Sequence, residues 1–267
     1  MYTVVGTLEI CIATSNEERC LANLRLMLSH CVTNPAVTVV GDECTINNAQ
    51  MALELPNACS VQTSSSTKRC GPVASLQRGY KHTTAPIIAF IHDDVEIFED
   101  GWDAAVLEEF NRPNVGVVGF GGATGLGSPD IYKVPYQLQQ LARYGYASND
   151  TDWKTHGGHF TGSREVAVLD GFCLIVRREL LDKCGGWPVT KMLFHNYDFY
   201  LCAIARRMGY KVRQIGVHCH HSGGLTSTTA NYNNWIMREH GRTDSEEHSR
   251  AHTFCWEEFR DVLPIRV

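Results

Sequence analysis

Pro86-Ile87-Ile88-Ala89-Phe90-Ile91 is an unbroken apolar run, followed at once by His92-Asp93-Asp94. A strand with no polar position is buried on both faces, and such strands belong at the centre of parallel sheets flanked by helices. This feature restricts the chain to an α/β architecture. Leu8 to Ala13 reads as another buried strand, and Val37 to Val40 as a third. Between the first two, Ser15 with Glu18 three residues on forms a capping-box pattern, predicting a helix with Leu21, Leu24 and Leu28 on one face. Ser60 to Arg69 reads as a polar loop, and Gly71-Pro72 opens a helix carrying Val73, Leu76 and Tyr80. A helix over about 100–111 and a strand over Val115–Phe120 complete an alternation of strand and helix.

The second half is less regular. Gly121 to Pro129 is a glycine-rich loop, and Tyr144 to Arg164 is long and polar, as lids and binding loops are. Val166 to Val176 predicts strand broken at Asp170-Gly171, followed by a short helix from Arg177 to Cys184. Asn196 to Met208 predicts a helix capped by Gly209, and Lys211 to Val217 a strand that runs into His218-Cys219-His220-His221. The last forty residues read as helical and peripheral. No repeat or linker divides the 267 residues, so one domain is expected.

Charge narrows the function. Twenty-four Lys and Arg against 29 Asp and Glu leave −5, too balanced for a dedicated nucleic-acid or polybasic membrane binder. Eleven cysteines, an odd number without a CxxC, are expected to be reduced core residues of a cytoplasmic protein. No apolar stretch is long enough to span a bilayer, and Met1 to Thr14 lacks the pattern of a signal peptide.

Three features carry chemistry. Asp93 and Asp94 end a buried strand, where paired acids need compensation; a divalent cation bridging a diphosphate supplies it, and capping of the next turn is the plainer reading. The histidine run could complete a metal site, form a solvated turn, or chelate zinc with Cys219; His218 and His220 share a direction if the strand continues. Tyr197-Asp198 opens a helix, where an acid either meets the helix dipole or serves as a general base.

In this order, those features resemble the family-two-like glycosyltransferases of GT-A fold, over about residues 7 to 225. The matching pieces are Glu9 to Asn16, Ala89 to Ile97 at the DxD region, Leu169 to Arg178, Gly185-Gly186-Trp187, Tyr197-Asp198 through Arg206 to Tyr210, and the histidine cluster. The resemblance implies an open mixed sheet flanked by helices, with a nucleotide-binding half over about 1–95, an acceptor half over 96–225 and a helical tail. It implies Mn²⁺ or Mg²⁺ on Asp94 with His220 or His218. Ala13, Thr14, Asn16, Lys68, Gly71, Asp93, Asp170 and Gly171 would hold a nucleotide-sugar, most naturally a UDP-sugar. Trp187 would face a glycan or other hydroxyl acceptor, and Asp198 would be the base of an inverting transfer. The chain departs from the family at His92, which stands at the first DxD position, at Tyr197, where a Glu is usual, at Tyr200, where an acid is frequent, and at Gly41-Asp42-Glu43, where an acid pair is usual. A nucleotidyltransferase would carry a basic glycine-rich loop after the first strand, where Thr14-Ser15-Asn16-Glu17 stands; a non-catalytic nucleotide- or sugar-binding module would not need Asp198.

Overall fold

A computed structural model describes residues 7–127, 161–222 and 230–267. The first half runs β1 (Leu8–Thr14), α1 (Glu17–Ser29), β2 (Ala36–Gly41), α2 (Asn48–Glu54), β3 (Val61–Ser64), α3 (Pro72–His82), β4 (Ile87–Ile91), β5 (Val95–Ile97), α4 (Trp102–Phe110) and β6 (Val115–Gly119). Two short strands follow, β7 (Gly122–Ala123) and β8 (Gly125–Leu126). The second half adds β9 (Ser163–Glu165), β10 (Val168–Leu169), β11 (Cys173–Arg177), α5 (Arg178–Cys184), α6 (Tyr197–Arg207), β12 (Lys211–Ile215) and β13 (Cys219–His221). The tail holds α7 (Ala230–His240), α8 (Asp244–Glu258) and β14 (Ile265–Arg266).

Eight strands form one mixed sheet in the order β3-β2-β1-β4-β11-β6-β12-β9. The first four are mutually parallel; β11 runs antiparallel to both β4 and β6, and β12 is parallel to β6. Side chains alternate across this sheet as strand geometry requires. Ile87, Ala89 and Ile91 of β4 join Ile10, Ile12, Leu24, Met27 and Trp102 in one core, while Ile88 and Phe90 join Leu174, Val176 and Leu201 in the other. Both faces are therefore covered, the reason β4 has no polar position. The two acids after it emerge at the carboxyl end of a central strand, where open α/β sheets bind ligands.

Four local expectations are corrected. Asn16, not Ser15, caps α1, its Oδ1 accepting from the Arg19 amide at 3.0 Å. Val61–Ser64, expected within a loop, pairs with β2 as the sheet's half-buried edge strand, and α2 was not anticipated. Gly122 to Leu126, read as loop, forms β7 and β8, which pair with β10 and β14. The tail is integral rather than peripheral: Ala251, Cys255 and Phe259 belong to the second core. Trp235 packs where a Cβ on Gly71 would stand, 3.1 Å from its ring, and Gly71 has φ +87°, so only glycine serves there. The expected lid, Tyr144 to Arg164, falls on residues 144–160, outside the described residues, except for its last four. No disulfide joins the eleven cysteines, and no helix among the described residues is long and apolar enough to cross a membrane.

Candidate active site

A cleft opens over the carboxyl ends of β1 and β4. Ala13, Thr14, Ser15 and Arg19 line one side, Asp42, Arg69 and Gly71 another, and His92, Asp93, Asp94, Gly171 and His221 the floor; Tyr197, Phe194 and Tyr232 complete the lining.

The floor is set by a change of direction after β4. Beyond Asp94 the chain enters β5, which pairs antiparallel with β13 in the register Val95↔His221, Glu96↔His220 and Ile97↔Cys219. Alternation then decides which histidine reaches the acid. Cys219 is fully buried in the core, so His221, two residues on, turns to the same side and places Nε2 3.4 Å from Asp94 Oδ1. His220 takes the other face and pairs with Glu96, 3.1 Å from its Oε2. His218 lies against Phe98, ring centres 5.2 Å apart. Thus the expected ligands His220 and His218 are not brought to Asp94; His221 is. His92, taken as a departure from an acid, completes the group: its Nδ1 lies 3.4 Å from His221 Nε2 and 3.9 Å from Asp94 Oδ1. Phe172 stacks on His221 at 4.9 Å and holds its ring plane.

These three atoms fit a divalent cation. A point about 2.1 Å from all three exists, the length of a bond from such an ion to imidazole nitrogen or carboxylate oxygen. Burial raises the cost of ionising Asp94, but the hydrogen bond from His221, with the charges of His221, His92 and Arg19, holds its carboxyl below the ordinary range. Desolvation first, then the neighbouring His221, pushes the His92 imidazole down. An ionised Asp94 beside a His92 ring pushed toward its neutral form is the protonation a cation needs.

Asp93 is occupied differently. Its Oδ2 accepts from Thr14 Oγ1 at 2.5 Å and from Arg19 Nη2 at 2.7 Å, and its carbonyl accepts from Asn23. The carboxyl end of β1 and the first turn of α1 thereby fix it in the cleft floor. Asp42, at the end of β2, accepts from the amides of Cys70 (2.5 Å) and Gly71 (3.1 Å) and so ties down the loop that enters α3.

Asp198 sits beside the cleft rather than in its wall. Its Oδ2 accepts from the amide of Gly171, which does line the cleft, at 3.1 Å. Burial first, then the nearby Asp170, raises its carboxyl to about 7. Asp170 itself turns back to accept from the Phe172 amide.

Ala13, Thr14, Gly71, Asp93, Asp94 and Gly171 are thus gathered round one cleft. Asn16 is spent on its helix cap, and exposed Lys68 lies outside the wall, which its neighbour Arg69 lines instead. Trp187, expected at the acceptor, is buried at 3% exposure behind Phe90, with ring centres 5.2 Å apart, and supports the floor from within. Arg19, Arg69, Phe194 and Tyr232 were not anticipated as cleft residues; His92 was read as a departure within the DxD region, and His221 as part of the histidine run without preference over His220 and His218. Arg19 was signalled only by its place in the first turn of α1, and Tyr232 by nothing local.

Gly171 has no room for a side chain, since a Cβ would stand 2.5 Å from the Tyr197 hydroxyl. Gly171→Ala is expected to destabilise the fold by about 1–3 kcal/mol, the usual range for overpacking, read as a lower urea midpoint at unchanged slope.

A mixed eight-stranded sheet of this order, flanked by helices, is the GT-A fold of glycosyltransferases. The chain belongs to the family described as "Glycosyltransferase like family", whose model matches residues 36–259. The mannosyltransferase PcManGT of Pyrobaculum calidifontis, solved with GDP-Man and Mn²⁺, superposes with a TM-score of 0.55 at 16% identity, covering 94% of this chain and 70% of that one. GalNAc-T7, solved with UDP, GalNAc and Mn²⁺, gives 0.59 at 11% identity, covering 97% and 58%. TarS 1-349 of S. aureus in complex with UDP gives 0.58 at 14%, covering 96% and 71%. These likenesses concern the fold. In sequence, the "uncharacterized protein y4gI" of Sinorhizobium fredii is 27% identical over 127 residues; the match covers 46% of this chain and 14% of that protein's length.

Proposed function

We propose that this chain transfers a sugar from a nucleotide-sugar, most naturally a UDP-sugar, to a hydroxyl acceptor, with a divalent cation held by Asp94, His221 and His92. The observation that carries this reading is the triangle of one carboxylate oxygen and two imidazole nitrogens on the cleft floor, with edges of 3.4, 3.4 and 3.9 Å. The solved relatives of the same fold that hold Mn²⁺ with GDP-Man, or with UDP and GalNAc, support it.

A bound cation would supply positive charge to the departing diphosphate. The chain's own residues do the rest. Asp93, fixed by Thr14 and Arg19, presents an acceptor for a ribose hydroxyl. Gly71, held by Asp42, and Ala13 leave flat backbone for the nucleobase. Asp198 takes the acceptor's proton as its oxygen attacks. One base, with no covalent nucleophile assigned among the described residues, favours inversion at the anomeric carbon. Two imidazole donors favour Mn²⁺ over Mg²⁺, which prefers an all-oxygen shell.

The test is UDP binding with and without the ion. At about 100 times Kd, a ligand bound only by the folded state adds about 2.7 kcal/mol. For a domain of this size that is a rise of roughly 5–10 °C in Tm. The rise is expected with UDP and Mn²⁺ and should vanish with EDTA; an equal rise in both overturns the metal role. Hydrolysis of a panel of nucleotide-sugars then identifies the donor, and no hydrolysis of any of them would count against the transfer.

A further inference from the structure

The hydroxyl of Tyr197 stands between the cation triangle and the backbone. It is 2.7 Å from His92 Nε2 and 3.3 Å from the Gly171 carbonyl oxygen. The ring is only 8% exposed and meets Trp187 edge to face at 6.0 Å, so it has little freedom to turn away. The glycine at 171 leaves the room this hydroxyl occupies.

Protons along this chain of contacts are constrained. His92 faces Asp94 and His221 through Nδ1. A neutral imidazole that offers Nδ1 to a cation must carry its hydrogen on Nε2, and that hydrogen needs an acceptor. The Tyr197 oxygen is at the right distance to be one. A carbonyl oxygen can only accept, so the phenol hydrogen has its own place on Gly171.

We propose that Tyr197 is a positioning residue for the cation site, accepting the Nε2–H of His92 and donating to the Gly171 carbonyl, so that His92 keeps the tautomer with Nδ1 open toward Asp94 and His221. This rests on the metal-binding reading given above and deepens it. It also explains how a histidine serves at a position where the family resemblance implies an acid: an acid has no tautomer to fix, whereas His92 has one, and a tyrosine stands at 197 in place of the usual glutamate. Without the hydroxyl, the Nε2–H loses its protein acceptor, and the ring is better satisfied with its hydrogen on Nδ1, facing Asp94. That hydrogen would point into the triangle and oppose a cation.

Tyr197→Phe keeps the ring and its packing on Trp187 and removes only the oxygen. The measurement is Mn²⁺ affinity without nucleotide, by titration calorimetry and by the electron paramagnetic resonance of free Mn²⁺. Loss of a group that orients a metal ligand commonly lowers affinity about 10–100-fold, and that loss is expected at unchanged thermal unfolding of the metal-free protein. In a His92→Ala background the same substitution should cause no further loss, because the ring whose tautomer it fixes is gone. Equal Mn²⁺ affinity for wild type and Tyr197→Phe overturns the proposal. So does an undiminished loss in the His92→Ala background, which would make the hydroxyl a general structural prop. A wild-type protein that binds no Mn²⁺ overturns the cation site itself, a different result from either.

Discussion

Replacing Asp198 with asparagine is expected to lower turnover about 10²–10⁴-fold, the usual worth of a positioned general base. UDP affinity should stay close to that of the wild type, because Asp198 contacts the Gly171 amide and not the cation triangle. If Asp198 only favoured the start of α6, the substitution would remove roughly 0.3–1 kcal/mol of dipole interaction, and turnover would barely move. The carboxyl's own titration gives a second signature. Burial and Asp170 raise it to about 7, so the base is half ionised near neutrality and kcat/KM should climb with pH through that value. Stability should run the other way. The folded carboxyl holds its proton up to about 7 and the unfolded one only to about 4. Between those values the folded state binds more protons, so stability is fully present below about pH 4 and is lost as pH rises through about 7. The neutral Asp198→Asn chain escapes that loss and should unfold at a higher temperature than wild type at pH 8 while turning over far more slowly. Near-normal turnover would remove Asp198 from the role of base. A product that keeps the donor's anomeric configuration, read by NMR, would remove the single-base inverting mechanism whatever the mutant does.

What could be read in the sequence was whatever depends on local pattern. The wholly apolar run into His92-Asp93-Asp94 fixed β4 at the sheet's centre, because two covered faces leave no position for a polar side chain. Asp93, Asp94, Gly171 and Thr14 follow from strand ends, and strand ends are local. The errors share one cause, which is dependence on partners distant in the chain. Whether odd or even histidines of β13 face Asp94 is set by the register with β5 and by the burial of Cys219 in a core drawn from the whole chain. Periodicity alone gave His218 and His220 a common direction but not its sense. Trp187 was set at the acceptor by the family resemblance alone, yet Phe90 and Tyr197 enclose it. Val61–Ser64 alternates no apolar residues, since an edge strand beside β2 is only half buried, and so it read as loop. Tyr232 reaches the cleft from a helix more than 130 residues beyond Asp94, and nothing around it in the chain marks it.

The histidine run offers the other large effect, in which neighbouring residues should behave in opposite ways. Asp94→Ala is expected to abolish Mn²⁺ binding within the measurable range, a loss well beyond the roughly 10–100-fold typical of residues that merely orient a ligand. Asp94 is the only acid of the triangle, and its removal leaves two imidazoles without an anionic ligand beside them. His221→Ala should cause a loss of similar kind, since His221 both completes the triangle at 3.4 Å from each partner and helps keep Asp94 ionised. His220→Ala, one residue away, should leave Mn²⁺ affinity within about twofold. Its partner is Glu96, on the opposite face of the β5–β13 ribbon, and both side chains are roughly one-third exposed. Ion pairs in such positions are worth about 0–1 kcal/mol. The three variants should therefore separate into two that lose the Mn²⁺-dependent rise in Tm with UDP and one that keeps it. The reverse assignment, with His220→Ala losing the ion and His221→Ala keeping it, would mean that β13 presents its other face to Asp94. Equal losses from both would point to a damaged ribbon, and unfolding of the metal-free variants would show it: the alternation argument requires His220→Ala to fold as well as wild type while His221→Ala folds but binds no ion.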